Sequence, residues 1–277
     1  MTPLQAIILG IIEGLTEYLP VSSTGHLVVA MRLMGLGLAE DKAASDAFSI
    51  AIQGGAIVAV LGLYYPRVIQ MFRGLVGKDV VGKRLVIAMI CGFLPAAVIG
   101  LLLNDLIKEY LFGIMPIVAA WIVGGVAIIA VAARRKNQDS KAGIDLAEIT
   151  WKMAFIIGFA QCVAMWPGTS RSLMTIVGGV MVGLSLRSAV EFSFLLGVLT
   201  LGAATAKDSL EHGQLMWETF GPLNLGLGAV FAFISAAIAV KWMVSYLNKH
   251  GMAVFGWYRI AIGIVVGSLL AFKVISG

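Results

Sequence analysis

Long apolar stretches alternate with short polar stretches along the chain. Six of them are close to the length of about 20 residues that a helix needs to cross a hydrocarbon core. These six stretches cover 47–65, 85–103, 112–133, 190–206, 223–246 and 253–275. Four shorter apolar stretches cover about 4–18, 25–38, 152–165 and 173–186. The pattern predicts an all-α polytopic membrane protein with six transmembrane helices and four shorter helices.

The four short stretches form two pairs, and a polar segment that contains a proline interrupts each pair. These polar breaks are 20–25 (PVSSTG) and 167–172 (PGTSRS). Irregular backbone is tolerated at membrane depth only inside protein or beside a water-filled cavity. We therefore expect two re-entrant helical hairpins, whose polar breaks line such a cavity.

The two hairpins belong to an internal repeat. Residues 7–13 (IILGIIE) resemble residues 155–161 (FIIGFAQ), and after a gap of one residue Ser23 aligns with Ser170. Each half of the chain then contains one hairpin and three spans. Because three is odd, the second half starts on the opposite side of the membrane, which predicts an inverted repeat within one membrane domain. The two halves cover about 1–135 and about 150–277.

Composition excludes a soluble globular protein. Hydrophobic residues make up 60% of the 277 residues and charged residues 13%, whereas soluble domains contain about 25% charged residues. The net charge of +5 comes from short basic segments, chiefly 66–84 and 134–152, which indicates topology rather than nucleic-acid binding. We expect both segments in the cytoplasm and both termini outside. We expect no cleavable signal, because the first basic residue is Arg32.

Glu13 and Glu17 are the first candidates for chemistry. They lie four residues apart in an apolar stretch, so a helix places them on one face. Two adjacent carboxylates without water need a shared proton, a cation or a basic partner. The alternative is a pair that faces water at the N-terminus, and the apolar neighbours favour the membrane interpretation.

The first polar break supplies a nucleophile and a base. Ser22, Ser23 and Thr24 suit the N-cap of the following helix, whose free N–H groups bind anions. Ser23 is a candidate nucleophile, and His26 is a candidate general acid or base. With Glu17 they form the side-chain set of an activated nucleophile. Alone, the segment would also fit a hydroxyl cap beside a histidine that lines a pore.

The second polar break supplies a cation. Arg171 lies among small residues, and its guanidinium fork matches phosphate oxygens. An arginine that extends to the membrane interface is the alternative. Gln53 interrupts a span and is expected to face the same cavity, where the two hairpins together would fit phosphoryl transfer. The other residues expected at the phosphate are Gly168, Thr169, Ser170, Ser172 and Thr175.

These two segments resemble the signatures of a known family. EGLTEYLPVSSTGH at 13–26 and PGTSRSLMT at 167–175 closely resemble the motifs of the bacterial undecaprenyl pyrophosphate phosphatases, the bacitracin-resistance family. The resemblance implies an inner-membrane enzyme that hydrolyses undecaprenyl pyrophosphate to the monophosphate carrier that peptidoglycan synthesis reuses. It also implies assistance by Mg²⁺ or Ca²⁺. The functional set it implies is Glu13, Glu17, Ser23, His26 and Arg171, with Thr24, Ser170 and Thr175 beside them.

The resulting hypothesis is a membrane phosphatase in which Ser23 attacks the terminal phosphorus, with Glu17 activating it directly or through His26. Attack by His26 or by water stays open. Glu13, with Glu17, is expected to hold the divalent ion, and Arg171 to stabilise the transferred phosphoryl group. A secondary transporter of an anionic or lipid-linked substrate is the alternative, because inverted repeats and broken helices are also typical of transporters. The expected partners are the lipid substrate and membrane lipids, and a homodimer is left open.

Overall fold

A computed structural model of the chain describes residues 1–36, 42–111, 113–134 and 142–272. Within these ranges the regular structure is helical, apart from one isolated bridge between Ile144 and Leu184. The α-helices are α1 (Pro3–Glu17), α2 (Ser23–Leu33), α3 (Lys42–Leu63), α4 (Tyr65–Leu75), α5 (Val80–Leu111), α6 (Ile114–Arg134), α7 (Trp151–Cys162), α8 (Arg171–Met181), α9 (Leu186–His250) and α10 (Ala253–Ala271). Short 3-10 helices lie at Leu146–Glu148 and Val163–Met165.

Five helices of the described ranges are long and apolar enough to cross a membrane. Four of them, α3, α5, α6 and α10, coincide with four of the predicted spans. The fifth, α9, has 65 residues and contains the predicted spans 190–206 and 223–246. Gly221 interrupts its helical geometry with φ 69° and ψ 163°, and Pro222 follows. The chain is therefore an all-helical, multi-pass membrane protein in which α9 consists of two helices joined at a kink.

The segment 66–84 differs from the predicted loop. α4 begins directly after α3, with Pro66 in its first turn, and it packs back on the start of α5. Gly74 and Gly82 allow this contact, because a Cβ at either glycine would overlap the backbone of the other helix. Basic residues of this segment, such as Arg67, therefore belong to helices. In the other basic segment, residues 135–141 lie outside the described ranges.

Four helices are as short as the sequence predicts. α1, α2, α7 and α8 have 15, 11, 12 and 11 residues, so each is about 17–23 Å long at 1.5 Å per residue. The hydrocarbon core is about 30 Å thick. α1 lies directly on the second part of α9, because Gly10 and Gly14 approach the backbone of Gly228 and Ala232 too closely for a side chain. This contact fixes the helix that carries Glu13 and Glu17.

The largest core cluster holds the second hairpin against the first part of α9. Ile157 of α7, Leu173 and Ile176 of α8, and Phe192 and Phe194 of α9 are fully buried in it. Burial of side chains from all three helices fixes the position of the break between α7 and α8. The packing of the surrounding helices therefore holds the polar residues of the breaks in a defined geometry.

Candidate active site

Both polar breaks end in the same unusual backbone conformation. Ser22 has φ 74° and Ser170 has φ 76°, and no other non-glycine residue of the described chain has a positive φ. Each serine is the N-cap of the next helix, where its Oγ accepts a hydrogen bond from a backbone N–H two or three residues inside that helix. Such a conformation costs about 1–3 kcal/mol in a residue other than glycine and is typical of functional sites.

The two caps correct the register of the internal repeat. Ser22 and Ser170 are 148 positions apart, which is also the offset between the similar segments 7–13 and 155–161. The expected pairing of Ser23 with Ser170 is therefore wrong by one residue. The structural equivalent of Ser23 is Arg171, because each is the first residue of the helix after a break.

Side chains from elsewhere in the fold hold the backbone of the first break. Its three consecutive carbonyls accept hydrogen bonds as follows: Leu19 from Ser172 Oγ at 2.9 Å, Pro20 from Arg259 Nη1 at 3.2 Å, and Val21 from Trp121 Nε1 at 2.9 Å. Ser172 is fully buried between the two breaks. Its hydroxyl therefore joins the hairpins to each other through the Leu19 carbonyl.

Arg259, which lies in neither sequence motif, joins the two breaks to each other. It is fully buried, and its guanidinium donates to the carbonyls of Pro20 in the first break, Gly168 in the second break at 2.8 Å, and Ala120 of α6 at 2.8 Å. Gly124 makes room for it, because a Cβ there would overlap the guanidinium. The available signal is the arginine itself, since an ionisable residue in an apolar span marks a functional site by default.

A cavity of about 230 Å³ lies where the two breaks meet. Both hairpins contribute polar groups to its wall, and α3, α5 and α9 contribute the remainder. The residues that line it are Glu17, Ser22, Ser23, Thr24, Gln53, Ala96, Gln161, Ala164, Met165, Pro167, Gly168, Ser170, Arg171, Thr200 and Leu201.

Glu17 connects the hydroxyl of one break to the guanidinium of the other. Ser23 Oγ donates to Glu17 Oε2, and Arg171 Nη2 donates to Glu17 Oε1 at 3.0 Å. Arg171 Nη1 donates to the carbonyl of Ser193 at 3.0 Å, while its buried Nε has no hydrogen-bond partner in the described chain. The ion pair is almost completely buried, with side-chain exposures of 10% for Arg171 and 5% for Glu17. The arrangement places a base on the hydroxyl and a cation beside both groups.

Glu13 lies one turn before Glu17, outside the lining of the cavity. It is fully buried, and neither of its carboxylate oxygens has a hydrogen-bond partner among the described residues. Buried, unpaired carboxylate oxygens are suitable ligands for hard divalent cations such as Mg²⁺ and Ca²⁺. Among the described residues Glu13 therefore offers two oxygens to such an ion, whereas both oxygens of Glu17 already accept hydrogen bonds from Ser23 and Arg171.

His26 lies beside the cavity and not in its wall. Its Nδ1 is 2.6 Å from the carbonyl of Ser22, and its Nε2 is 2.8 Å from the hydroxyl of Tyr258. The imidazole also stacks on the ring of Tyr258, with 5.7 Å between centroids. Both ring nitrogens are engaged away from Ser23, so the structure contains the direct contact between Ser23 and Glu17 and not the relay through His26.

The structure separates the other predicted phosphate ligands into two groups. Ser22, Thr24, Gly168, Ser170 and Gln53 line the cavity together with the central residues. Thr169 and Thr175, like Ser172, do not. Thr175 Oγ1 is 2.6 Å from Ser193 Oγ and therefore fastens α8 to α9 behind Arg171.

Two residues in the wall of the cavity, Gln161 and Thr200, are absent from the predicted set. Gln161 is buried in α7, and Thr200 Oγ1 donates to its Oε1 at 3.3 Å. The repeat contains a signal for Gln161, because it occupies the position that corresponds to Glu13. Thr200 lies inside an apolar span, where a single hydroxyl carries no such signal.

Comparison with known proteins gives a consistent result over nearly the whole chain. The profile of the family described as "Bacitracin resistance protein BacA" matches residues 6–265. An undecaprenyl-diphosphatase of Sorangium cellulosum is 44% identical over 263 residues, which cover 95% of this chain and 84% of that protein. An undecaprenyl-diphosphatase of Nitrosomonas europaea is 43% identical over 266 residues, covering 95% and 93%. A protein of Rhodospirillum rubrum named undecaprenyl-diphosphatase 2 is 44% identical, with 95% and 93% covered.

Proposed function

The chain belongs to the bacitracin resistance protein BacA family, and we propose that it hydrolyses undecaprenyl diphosphate in the membrane. The products are inorganic phosphate and undecaprenyl phosphate, the lipid carrier that peptidoglycan synthesis reuses. The observation that carries the proposal is the contact of Glu17 with both Ser23 and Arg171 in a cavity of a membrane protein. A hydroxyl, a base and a phosphate-binding cation are the groups that phosphoryl transfer requires.

In the proposed mechanism Ser23 Oγ attacks the terminal phosphorus while Glu17 accepts its proton. The bond from that phosphorus to the bridging oxygen breaks, and undecaprenyl phosphate leaves. Arg171 stabilises the charge on the transferred group, together with the backbone N–H groups at the starts of α2 and α8. Water then attacks the phosphorus of the phosphoserine, and the bond from that phosphorus to Ser23 Oγ breaks. Glu17 returns its proton to Ser23 Oγ, and inorganic phosphate leaves with the protons of the water.

A divalent ion, Mg²⁺ or Ca²⁺, fits this site as well. Glu13 and Glu17 would hold it, and the ion would supply positive charge that neutralises the diphosphate. Support for this proposal comes from the two unpaired, buried oxygens of Glu13. The steps assigned to Ser23 and Arg171 do not depend on which ion is bound.

We further propose six spans and two re-entrant hairpins in an inverted repeat. A helix of the length of α9 would extend about 98 Å at 1.5 Å per residue, which is far more than a core of about 30 Å, so α9 contributes two spans. α3, α5, α6 and α10 contribute the other four. Equivalent caps at Ser22 and Ser170 support the repeat. The location is the bacterial inner membrane, with both termini outside; a homodimer remains a prediction.

The experiment that tests this function uses the full chain purified in detergent. With undecaprenyl diphosphate as substrate, we expect release of one inorganic phosphate per lipid and accumulation of undecaprenyl phosphate. A secondary transporter has no need of the contact between Ser23 and Glu17 and would release no phosphate. Absence of phosphate release from a folded, monodisperse preparation supplied with Mg²⁺ or Ca²⁺ would overturn the proposal.

A further inference from the structure

The wall of the cavity has three chemically different parts. One part carries charge and hydroxyls and contains Glu17, Ser23 and Arg171. A second part is polar but uncharged and contains Gln161 and Thr200, together with Gln53 of α3. The third part is apolar and consists of Ala96, Ala164, Met165 and Leu201. The substrate class proposed above also has three parts, namely a terminal phosphate, an ester-linked phosphate and an apolar chain.

Gln161 has an unused donor at this cavity. Its side chain is 97% buried, since its relative exposure is 3%. The Thr200 hydroxyl shares its proton between the carbonyl of Leu196, at 2.9 Å, and Gln161 Oε1, at 3.3 Å, while Gln161 Nε2 has no hydrogen-bond partner in the described part of the chain. A buried donor left without a partner costs about 1–3 kcal/mol. A ligand oxygen that accepts from Nε2 would remove this cost.

The helix α9 shows the order of the three parts. Arg171 donates to the carbonyl of Ser193, and a Cβ at Gly197 would overlap the Arg171 guanidinium. Thr200, which holds Gln161, follows Gly197 by three residues and so lies about 5 Å further along the helix. Leu201 is the next residue. The contact of α9 with the guanidinium, its contact with the amide and the apolar Leu201 therefore follow one another along the helix, in the order of the terminal phosphate, the ester-linked phosphate and the apolar chain of a lipid diphosphate.

We propose that Gln161, held by Thr200, binds the ester-linked phosphate of the substrate, the one that stays on the lipid. This inference rests on the proposed function. When the bridging bond breaks, its oxygen becomes a terminal oxygen of the lipid phosphate and gains negative charge, which the Nε2–H group stabilises. An uncharged amide holds this product less tightly than a guanidinium would, because hydrogen bonds between charged partners are about twice as strong. Arg171 binds the transferred phosphate, and Gln161 binds the leaving group.

The test compares two product-like probes, farnesyl phosphate and inorganic phosphate, in the wild type and in Gln161→Leu. Loss of one hydrogen bond to a charged oxygen weakens binding by about 10- to 100-fold. We expect the inhibition constant of farnesyl phosphate to rise by that factor in Gln161→Leu, while that of inorganic phosphate stays within about twofold. Cys162→Ala is the matched control, because Cys162 follows Gln161 on α7 and does not line the cavity.

A thermal-shift measurement and a second variant, Thr200→Val, separate failure of this inference from failure of the proposed function or of folding. Thermal stabilisation by farnesyl phosphate measures binding directly and applies even if the wild type releases no phosphate, so the inference and the proposed function can fail separately. Thr200→Val removes only the hydroxyl and replaces Gln161→Leu if that variant does not fold; we expect the same selective loss, about two- to fivefold. Equal weakening of both probes, or farnesyl phosphate binding within twofold of the wild type in a folded variant, would overturn the inference.

Discussion

Arg171 and Glu17 form a buried ion pair, with 3.0 Å between Nη2 and Oε1, although 154 positions separate them in the sequence. Glu17 ends the helix before the first break, and Arg171 begins the helix after the second break. Removal of one partner from a buried pair leaves an uncompensated charge and is strongly destabilising, by about 3–5 kcal/mol. The two halves therefore depend on each other for stability as well as for the groups that bind phosphate.

Arg171→Lys tests the guanidinium as a phosphate ligand. Lysine keeps the charge but lacks the planar fork, so the N–H groups that contact Glu17, the Ser193 carbonyl and phosphate no longer have the fixed directions that the guanidinium gives them. Loss of a preorganised donor costs about 2–4 kcal/mol, which corresponds to a loss of about 30- to 1,000-fold in kcat/KM. This loss in kcat/KM is measured as phosphate release by detergent-purified variants that have matched melting temperatures.

The matched control is Arg67→Lys, because Arg67 also pairs with a glutamate, Glu191, at 2.7 Å and lies outside the cavity. We expect it to retain wild-type turnover within about twofold. Arg171→Ala should be slower and less stable than Arg171→Lys, since it leaves Glu17 unpaired. An Arg171→Lys enzyme within about threefold of the wild type would show that only the charge matters.

Ser23→Ala tests the proposed nucleophile. Its hydroxyl is the one that donates to Glu17, so its removal should lower kcat by on the order of 100-fold or more without unfolding the protein. Rapid quenching of the wild type during turnover should also yield phosphate bound to Ser23. Ser49→Ala, outside the cavity, serves as the control. Near-normal turnover by Ser23→Ala would indicate attack by water or by His26.

Arg259→Lys tests whether the buried arginine positions the two breaks. One ammonium nitrogen cannot replace the two guanidinium nitrogens that bond to Pro20, Ala120 and Gly168. A small displacement of Ser23 relative to the substrate should lower kcat by about 10- to 100-fold, with little change in KM. Val266→Ala, a buried site on the same helix, controls for lost packing. If Arg259→Lys lowers kcat no more than Val266→Ala does, at equal melting temperature, then Arg259 stabilises the fold and does not position Ser23.

Hydropathy and composition were sufficient to predict the elements that matter most to this site. An apolar stretch of about 15 residues is too short to cross the hydrocarbon core. A proline with small polar residues ends a helix, so both hairpin breaks are local properties of the sequence. The shared face of Glu13 and Glu17 follows from helix geometry alone. The candidate nucleophile and the candidate cation were recognisable for the same reason, since each stands in a break.

Features that depend on packing between distant segments were not predictable in this way. Arg259 is one charge in a long apolar span, so it barely lowers the mean hydropathy of that span. Its hydrogen-bond partners are carbonyls of residues that lie far away in the sequence. The engagement of His26 by Tyr258 depends on where α10 lies. α4 is not apparent from hydropathy, because a short amphipathic helix has low mean hydropathy. Gln161 occupies the position of the repeat that corresponds to Glu13, but its unpaired donor is visible only in the folded chain.

Gly14→Ala tests the close packing of α1 on α9. A methyl group at Gly14 would overlap the Ser235 hydroxyl and the Ala232 carbonyl, and overpacking of this kind costs about 1–3 kcal/mol. The melting temperature in detergent should decrease, and turnover should fall because Glu17 lies on the displaced helix. Gly62→Ala is the matched control, because among the described residues no atom outside its own helix backbone lies within 4 Å of the added Cβ. Equal melting temperatures for the two variants would contradict this packing.

Cysteine labelling tests the proposed topology, and the structure suggests the positions. The Arg67–Glu191 ion pair ties α4 to the start of α9, so Lys78, which follows α4, lies on the same side of the membrane as Glu191. Glu211 is about 30 Å further along α9 at 1.5 Å per residue, which equals the thickness of the core.

Both Lys78 and Glu211 are exposed, so a cysteine at either position can react. In a background without Cys91 and Cys162, Lys78→Cys should react with an impermeant maleimide only after the cells are opened, and Glu211→Cys should react in intact spheroplasts. Lys136→Cys, in the other basic segment, should behave like Lys78→Cys. Labelling of Lys78→Cys and Glu211→Cys from the same side would mean that the first part of α9 does not cross the membrane. The odd number of spans per half, and with it the inverted repeat, would then be wrong.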